Sequence, residues 1–554
     1  MPRLTTFATA LAAAASAASS PVSGIGSESG FVQGRTEGKI SWGPCPPELK
    51  LNASNPAVVC GNLTVPLDYK NASAGTVTLE LLKWPAVHQP SRGSILTNPG
   101  GPGASGRVDL SITGAYLSPA TGGHHDLISF DPRGVFNTIP LSCFNMTNPA
   151  EAKSKVIIGD RTLMAGNSSD AAMGSLWAAT SLRAAACAKA PEAQARGNFT
   201  GTALVARDMM AIVDSLGEDG MLRYWGFSYG TLLGATVAAM FPDRIDKLIL
   251  DGVVNPSDYY RAYEAERYVD TDATFRYFLD ECVKLGVGCP LLTRRPNATA
   301  DDLERLIRGK IQELKYHPVP VPEMSVTVDY STVKSTIFFL LYIPETWTSL
   351  AALMDAIVTD PSDLAALLPS ASTPPSDGSE ESYAIHAIRC ADRVPRHETL
   401  DEFAAAIEPT HQVSWLTGDT ATGAYMTCAR WPYHAAERYL GDFRVKTKNP
   451  VLVLSAELDP TTPLASARNV SAGLEGSVLL KRAGPGHCSY TLWSTCAYRA
   501  TRDYFLHGRL PPADTTCEAD LKALSSTEEY AAAQKKMIAT LAQENAGNGT
   551  LSSA

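Results

Sequence analysis

The sequence lacks the long apolar runs that membrane-spanning proteins carry. Beyond its first residues, no stretch reaches the ~18 unbroken apolar residues from which a membrane-spanning helix is predicted. It also lacks an excess of basic residues, since 47 Lys and Arg stand against 57 Asp and Glu, for a net charge of -10. We therefore expect no membrane span, and neither nucleic acid nor an anionic membrane as the main partner.

The first residues are typical of a secretory signal peptide, which we predict over residues 1–18. Arg3 supplies a positive start, residues 4–15 are mostly apolar, and small residues follow at 16–18, as a signal peptidase requires. The alternative is a buried alanine-rich helix. A flexible Gly/Ser-rich leader is predicted over residues 19–39, so we expect a secreted, extracellular protein.

Potential N-glycosylation sites agree with export. The sequence contains nine Asn-x-Ser/Thr acceptors, of which any single one is easily a chance match. They are Asn52, Asn62, Asn71, Asn145, Asn167, Asn198, Asn297, Asn469 and Asn548. Nine together predict a secreted glycoprotein.

Eleven cysteines favour disulfides over metal sites in an exported chain. Because the number is odd, at least one thiol is free or bonds outside the chain. Two local pairs are candidates, Cys45 with Cys60 and Cys282 with Cys289, but the sequence does not fix the connectivity.

Short apolar runs, typical of buried parallel strands, alternate with helical stretches. The runs lie at 93–96, 126–130, 247–250 and 450–454, and the clearest intervening helices at 203–216 and 231–241. This alternation predicts an α/β fold, with a mostly parallel central sheet flanked by helices.

The alternation is interrupted between residues 256 and 449, where the sequence is mainly helical. We predict a first core part over 40–255, a large helical cap or lid insertion over 256–449, and a C-terminal core part over 450–525. A helix and tail would follow over 526–554. An independently folding domain is the alternative for the cap.

The strongest local signal for chemistry is the G-x-S-x-G pattern at Gly226–Gly230. A plausible strand precedes it and an apolar helix follows, so Ser228 would lie on a sharp strand-to-helix turn. The helix N-terminus behind the serine favours developing negative charge. We predict Ser228 as a nucleophile, with an ordinary turn as the alternative.

A serine hydroxyl needs a base within hydrogen-bond reach, and this pattern takes its partners in the order Ser, acid, His. Asp459 follows the run at 451–458 and lies where active-site groups of such sheets gather. His487 follows in a glycine-rich turn. We predict Asp459 as the acid and His487 as the base, with Glu457 and His507 as the nearest competitors.

The glycine-rich loop after the run at 93–96 is a candidate oxyanion hole. Pro102 has no N–H, so Gly100 or Gly101 must supply one donor, and the Tyr229 N–H would supply the second. An ordinary glycine turn is the alternative.

Together these motifs resemble the α/β hydrolases of peptidase family S33, in particular secreted tripeptidyl-aminopeptidase-like hydrolases. The resemblance runs from about Trp42 to Asp520. It is carried by Cys60–Tyr69, Asn98–Gly103, Phe130–Gly134, Gly226–Gly230, Ile388–Asp392, Cys428–Pro432, Leu458–Pro463, Gly486-His487 and Tyr504–Cys517. It implies an α/β-hydrolase fold with Ser228, Asp459 and His487 as the triad, and a TAP-like C-terminal part at 450–525.

Two departures from this family bear on the substrate. Val135 to Thr138 follow the Asp-Pro-Arg-Gly turn, where relatives usually continue with Gly and Ser. Asn98 opens the oxyanion loop, where proline-releasing relatives usually have His. Both changes leave the triad intact.

The resemblance implies a serine exopeptidase that releases residues or short peptides from peptide N-termini and needs no metal or organic cofactor. Glu264, Glu266, Asp270 and Asp392 are candidate ligands for the substrate amine, or else solvated or structural charges. One alternative is an esterase or lactonase acting on a small secreted metabolite, and another is a non-catalytic binding protein. The sequence leaves the oligomeric state open.

Overall fold

A computed structural model describes residues 38–49, 58–145, 147–261, 263–322, 326–360 and 379–548. The predicted signal peptide, most of the predicted leader, the acceptor Asn52 and residues 549–554 lie outside this part of the chain.

Within the described residues, ten strands form one sheet and two more form a small hairpin. The strands are β1 (Ser41–Gly43), β2 (Val59–Pro66), β3 (Thr76–Trp84), β4 (Ser94–Asn98), β5 (Asp126–Phe130), β6 (Leu222–Phe227), β7 (Ile245–Asp251), β8 (Val319–Val321), β9 (Val326–Val328), β10 (Leu452–Leu458), β11 (Val478–Pro485) and β12 (Thr516–Cys517). The sheet order is β1-β2-β3-β5-β4-β6-β7-β10-β11-β12, and β8 pairs with β9. From β5 to β12 all neighbours are parallel, which confirms the predicted fold class.

The register brings the carboxyl ends of the central strands to one edge. Phe227, the last residue of β6, lies opposite Asp251, the last residue of β7, and Asp251 lies opposite Leu454 in β10. Asn98 at the end of β4 lies opposite Gly226. The loops that follow β4, β6, β10 and β11 therefore emerge at the same edge.

Successive strand side chains enter two different apolar cores, because they alternate between the two faces of a sheet. In β7, Leu248 and Leu250 pack into one core and Ile249 into the other. Buried on both faces, the strand has the continuous apolar sequence of a parallel sheet.

Helices cover both faces and build the segment between β7 and β10. They are α1 (Gly106–Ala120), α2 (Pro149–Thr162), α3 (Ala172–Lys189), α4 (Pro191–Arg196), α5 (Thr202–Leu216), α6 (Tyr229–Met240), α7 (Pro256–Arg261), α8 (Thr271–Leu285), α9 (Pro290–Thr293), α10 (Ala300–Tyr316), α11 (Tyr330–Leu341), α12 (Trp347–Thr359), α13 (Ser379–Asp392), α14 (Leu400–Val413), α15 (Thr422–Ala429), α16 (Leu464–Gly473), α17 (Thr495–His507) and α18 (Thr527–Asn548). Helices α5 and α6 pack on one face, and α1, α17 and α18 on the other. None of the described helices is long and apolar enough to cross a membrane.

The segment between β7 and β10 has apolar cores of its own. One is built by α8, α10, α11 and α12. A second joins Phe403 of α14 and Tyr425 of α15 to Leu176 of α3. The sequence analysis assigned α3 to the first core part, yet one end of this helix packs with the predicted cap. The division at residues 256 and 450 stays a prediction.

Five disulfides join the described cysteines. They are Cys45–Cys60, Cys143–Cys187, Cys282–Cys289, Cys390–Cys428 and Cys496–Cys517. Both candidate pairs from the sequence are bonded, and the odd cysteine is Cys488, which is free and buried.

Candidate active site

Ser228 lies on a strained turn between β6 and α6. Its φ of 56° and ψ of -125° are in a region that non-glycine residues rarely adopt, at a cost of about 1–3 kcal/mol. The Ser228 N–H donates to Asp251 O at 3.0 Å, which fixes the turn to the end of β7. Glycines make the turn possible, because a Cβ at Gly226 would lie 2.3 Å from Gly230 O.

Asp459 and His487 meet across the loops that follow β10 and β11. The Asp459 carboxylate oxygens lie 3.1 and 3.0 Å from His487 Nδ1. The carboxylate is fully buried and also accepts the backbone N–H groups of Thr461, Thr462 and Cys488 at 2.8–3.1 Å. This arrangement holds the imidazole at Nδ1, as the acid does in a Ser-His-Asp triad.

The electrostatics keep the Asp459 carboxylate ionised. Burial by itself raises its pKa, but the neighbouring His487 and the N–H donors of Thr461 and Thr462 outweigh that effect and leave the pKa below its ordinary value. A carboxylate that is charged at neutral pH therefore faces Nδ1 of the imidazole.

Thr462 is a further member of this network that the sequence analysis missed. Its hydroxyl donates to Asp459 Oδ2 at 2.7 Å. The hydroxyl oxygen, Thr462 Oγ1, also lies 3.0 Å from His487 Nδ1. The only sequence signal is its place in the Asp-Pro-Thr-Thr turn directly after the acid.

The competing acid and base lie elsewhere. Glu457 is exposed and accepts the Gly484 N–H at 3.2 Å. His507 is exposed at the end of α17. Neither contacts the Asp459–His487 pair.

The loop after β4 packs directly against the serine turn. Gly100 has a φ of +99°, and a Cβ on it would lie 2.8 Å from Ser228 Cβ and 2.9 Å from Tyr229 N. The Gly100 N–H donates to Asn98 Oδ1 at 3.0 Å. Gly100 is thus already engaged, which favours the Gly101 N–H as the loop's donor to a substrate oxygen. Tyr229 starts α6, so its N–H has no acceptor within the helix.

A narrow cavity of about 30 Å³ opens at the serine. Its lining includes Gly101, Ser228, Tyr229, Asn255, Asp258, Glu264, Arg267, Arg389, Thr461, Thr462 and Ser466. Burial, with Glu264 and Glu266 nearby, raises the pKa of Asp258 to about 7. The cavity therefore holds charged groups of both signs beside the nucleophile position.

Comparisons with known proteins bear on the fold. A family model described as alpha/beta hydrolase fold matches residues 93–286, and one described as TAP-like protein matches residues 414–517. The chain has the α/β-hydrolase fold.

Curated relatives of this α/β hydrolase match over nearly their whole length. Serine protease Hip1 of Mycobacterium tuberculosis is 27% identical over 539 residues, covering 93% of this chain and 98% of the relative. Tripeptidyl aminopeptidase of Streptomyces lividans is 27% identical over 510 residues, covering 86% of each. Carboxylesterase B of M. tuberculosis is 27% identical over 529 residues, covering 90% and 94%. With the family match, these relatives identify the α/β hydrolase as a serine hydrolase.

Of the four candidate amine ligands, only Glu264 lines the cavity. Glu264 lines it, fully buried, with Arg393 at 2.6 Å and Arg267 at 3.3 Å. Burial raises the pKa of Glu264, but Arg389, Arg393 and Arg267 together hold it below its ordinary value. This carboxylate is ionised and already paired with arginines.

The other candidate amine ligands do not line the cavity. Glu266 accepts hydrogen bonds from Asn255, Ser466 and Asn469. Asp392 is fully buried and accepts from the Thr202 N–H and hydroxyl and the Tyr259 hydroxyl. Asp270 accepts the Leu464 N–H. In the structure these carboxylates hold neighbouring segments together.

No metal cluster accompanies the site. Among the residues that the structure describes, no group of three or more His, Cys, Asp or Glu side chains lies close enough together to hold a metal ion.

Proposed function

We propose that this α/β hydrolase is a secreted serine exopeptidase that releases short peptides or single residues from peptide N-termini. Ser228 is the nucleophile, His487 the general base and acid, and Asp459 the carboxylate that orients the imidazole. The Gly101 and Tyr229 N–H groups form the oxyanion hole.

One observation carries this proposal. The buried Asp459–His487 pair, the strained Ser228 turn and the Gly100-Gly101 loop follow four different strands, whose carboxyl ends lie at one edge of the sheet, and the loop packs against the serine turn. Strained backbone at a functional site persists only where the surrounding structure enforces it. A binding protein would have no evident need for this combination of strain and a buried ion pair.

The reaction is a two-step acyl transfer to water. Ser228 attacks the acyl carbon while His487 accepts its proton, and the two N–H groups hold the tetrahedral oxyanion. His487 then protonates the leaving amine, and water repeats the sequence on the acyl-enzyme. Each oxyanion donor contributes about 3 kcal/mol to lowering the barrier.

Selection of a free N-terminus is supported by Glu264 and by the named relatives. Serine protease and tripeptidyl aminopeptidase are the names of two similar proteins. Glu264 supplies a buried, ionised carboxylate at the cavity beside Ser228. An ammonium group would compete there with the arginines that already face Glu264.

An esterase is the second candidate. Carboxylesterase B is similar over 90% of this chain, and the same triad serves ester and amide substrates. The cavity at Ser228 is narrow, and a small acyl group suits it better than a tripeptidyl group.

Export and N-glycosylation form part of the proposal. The acceptor asparagines at 62, 71, 145, 167, 198, 297 and 469 are all exposed. Asn469 differs from the others because its side-chain amide donates to Glu266 at 2.7 Å, a bond that a glycan would disrupt. A mass loss on endoglycosidase treatment of protein secreted from a eukaryotic host checks this, and an unchanged mass contradicts it.

Active-site labelling tests the nucleophile. A fluorophosphonate probe is expected to label the wild-type protein, and Ser228→Ala is expected to abolish labelling and lower kcat at least about a thousandfold. Ser257→Ala, at an exposed position at the start of α7, is the matched control and should keep both the probe labelling and the wild-type kcat. A folded wild-type protein that takes up no probe would favour a binding function.

Substrate pairs separate the two candidate activities. We expect tripeptidyl anilides with a free amine to be cleaved faster than N-acetylated ones, because only the free amine bears a charge that Glu264 attracts. Equal rates with and without the N-acetyl group, together with rapid cleavage of simple esters, would replace the exopeptidase by an esterase.

A further inference from the structure

The catalytic imidazole is held on a second side by a residue of the segment between β7 and β10. Tyr342 directly follows α11, and its backbone carbonyl accepts the backbone N–H of His487 at 2.8 Å. The two rings meet edge to face, with centroids 4.9 Å apart and an interplanar angle of 80°. This aromatic contact joins the β11 loop to a segment more than a hundred residues away in the sequence.

The same tyrosine is firmly anchored on its own side. Its ring packs against Phe338 and Phe339, whose centroids lie 5.1 and 5.9 Å away. Pro344 packs against Gly486, the residue before His487, because a Cβ at Gly486 would lie 2.8 Å from Pro344 Cδ. The Tyr342 ring therefore offers the imidazole a fixed surface.

The hydroxyl end of Tyr342 reaches the cavity wall. Thr461 and Arg267 lie near it, and burial raises the pKa of Tyr342, which outweighs the lowering that these two residues cause. Arg267 in turn donates to Thr461 Oγ1 at 2.9 Å and pairs with Glu264. The Tyr342 ring thus contacts the imidazole, while its hydroxyl lies near two residues of the charged cavity wall.

We propose that Tyr342 is a positioning residue, whose ring holds the His487 imidazole in the orientation that the reaction requires. The inference rests on the proposed function, because it assigns His487 the role of base. Asp459 and Thr462 hold the imidazole at Nδ1 and Cys488 Sγ lies 3.7 Å from Nε2, but contacts at the two nitrogens alone still leave the ring free to tilt about the line that joins them. The edge-to-face contact with Tyr342 removes that freedom, and an aromatic pair of this geometry is favourable beyond the area it buries.

Three variants test the role of the ring. Tyr342→Met keeps an apolar side chain but removes the ring, Tyr342→Phe removes only the hydroxyl, and Tyr316→Met alters an exposed tyrosine at the end of α10 as the control. The readouts are kcat and KM on one substrate and the rate of fluorophosphonate labelling at Ser228. Melting temperatures establish that each variant is folded.

We expect Tyr342→Met to lower kcat and the labelling rate at least about tenfold, because small misplacements of a catalytic group are costly. KM should change much less, since Tyr342 is not part of the cavity lining. The kcat of the Tyr342→Phe variant should lie within about threefold of the wild-type value, because the ring is what positions the imidazole. Tyr316→Met should behave as wild type.

The outcomes decide between the alternatives. A folded Tyr342→Met variant with wild-type kcat and labelling rate overturns the inference, and so does a loss that falls on KM alone. If the Met variant does not fold, Tyr342→Phe decides, because a tenfold loss of kcat with the ring present contradicts a positioning role for the ring. Failure of the wild-type protein to label at Ser228 would instead remove the proposed function itself.

Discussion

At the scale of single residues, Gly100 shows how little freedom the site leaves. Its φ of +99° disfavours any side chain, and a Cβ there would lie 2.6 Å from Phe227 O and 2.8 Å from Ser228 Cβ. An added methyl group must push the loop after β4 away from the serine turn. The Gly101 N–H would then move away from the oxyanion hole that we propose.

We therefore expect Gly100→Ala to lower kcat/KM and the fluorophosphonate labelling rate about a hundredfold or more, the usual cost of losing one oxyanion donor. Gly75→Ala is the matched control. Gly75 has a similar φ of +93°, but nothing lies within 4 Å of its Cβ position, so this change tests backbone strain alone. Equal activity of the two variants would show that Gly100 plays no part in an oxyanion hole.

Local pattern was enough to select Ser228, Asp459 and His487 from the sequence, because each lies in a short motif of glycines or prolines after an apolar run. Their roles stay predictions until activity is measured. Thr462 and Tyr342 could not be selected in this way. Their importance comes from contacts with His487 across 25 and 145 positions of the chain, and no local pattern records such contacts.

At the scale of secondary structure, the buried strands were the most predictable elements. The runs at 126–130 and 247–250 fall within β5 and β7, since a strand buried on both faces is continuously apolar. Helix α3 was not predicted individually, because its apolar residues pack into two different cores and give no single stripe. Strand β12 has only two residues, too few for any periodicity.

The Cys390–Cys428 disulfide joins α13 to α15 and should be a major support of the segment between β7 and β10. The bonded residues are 38 positions apart, whereas those of Cys282–Cys289 are only 7 apart. A disulfide that closes a longer loop removes more conformational entropy from the unfolded chain, about 4 kcal/mol for the first and about 2 kcal/mol for the second.

We expect the double variant Cys390→Ser/Cys428→Ser to unfold at a lower temperature than Cys282→Ser/Cys289→Ser, as measured by calorimetry under matched conditions. The wild-type protein after mild reduction provides a further reference. If the melting temperature falls by the same amount in both double variants, the length of the loop that Cys390–Cys428 closes does not determine its contribution to stability.

At the scale of the whole molecule, helices that are far apart in the sequence pack into one core. The alternation of strands and helices predicted a parallel sheet with a helical insertion, and the fold class is confirmed. The sequence could not show that α3 shares a core with α14 and α15, because such packing depends on how distant helices cross. The cavity at Ser228 lies where these parts meet, with Ser228 at the sheet edge and Arg389 on α13 among its lining residues.

Buried acids across the molecule should make the fold most stable at mildly acidic pH. Burial raises the pKa of Asp251 and of Asp392 to about 6, and burial with two nearby glutamates raises that of Asp258 to about 7. Each folded pKa lies above the unfolded value of 3.8, so the folded state binds these protons more tightly. Their contribution to stability is complete below about pH 4 and is lost as the pH rises through 6 to 7.

Asp459 and Glu264 act in the opposite direction, because their pKa values are held below the ordinary range. Their contribution is present above the unfolded pKa and is lost as the pH falls through the folded one. The melting temperature at pH 5 should therefore exceed that at pH 8 at equal ionic strength. Asp258→Asn should reduce the difference in melting temperature between pH 5 and pH 8. Asp301→Asn, at an exposed position on α10, should leave this difference unchanged. A melting temperature that rises steadily from pH 5 to pH 8 would mean that these buried carboxyl groups do not retain their protons in the folded protein.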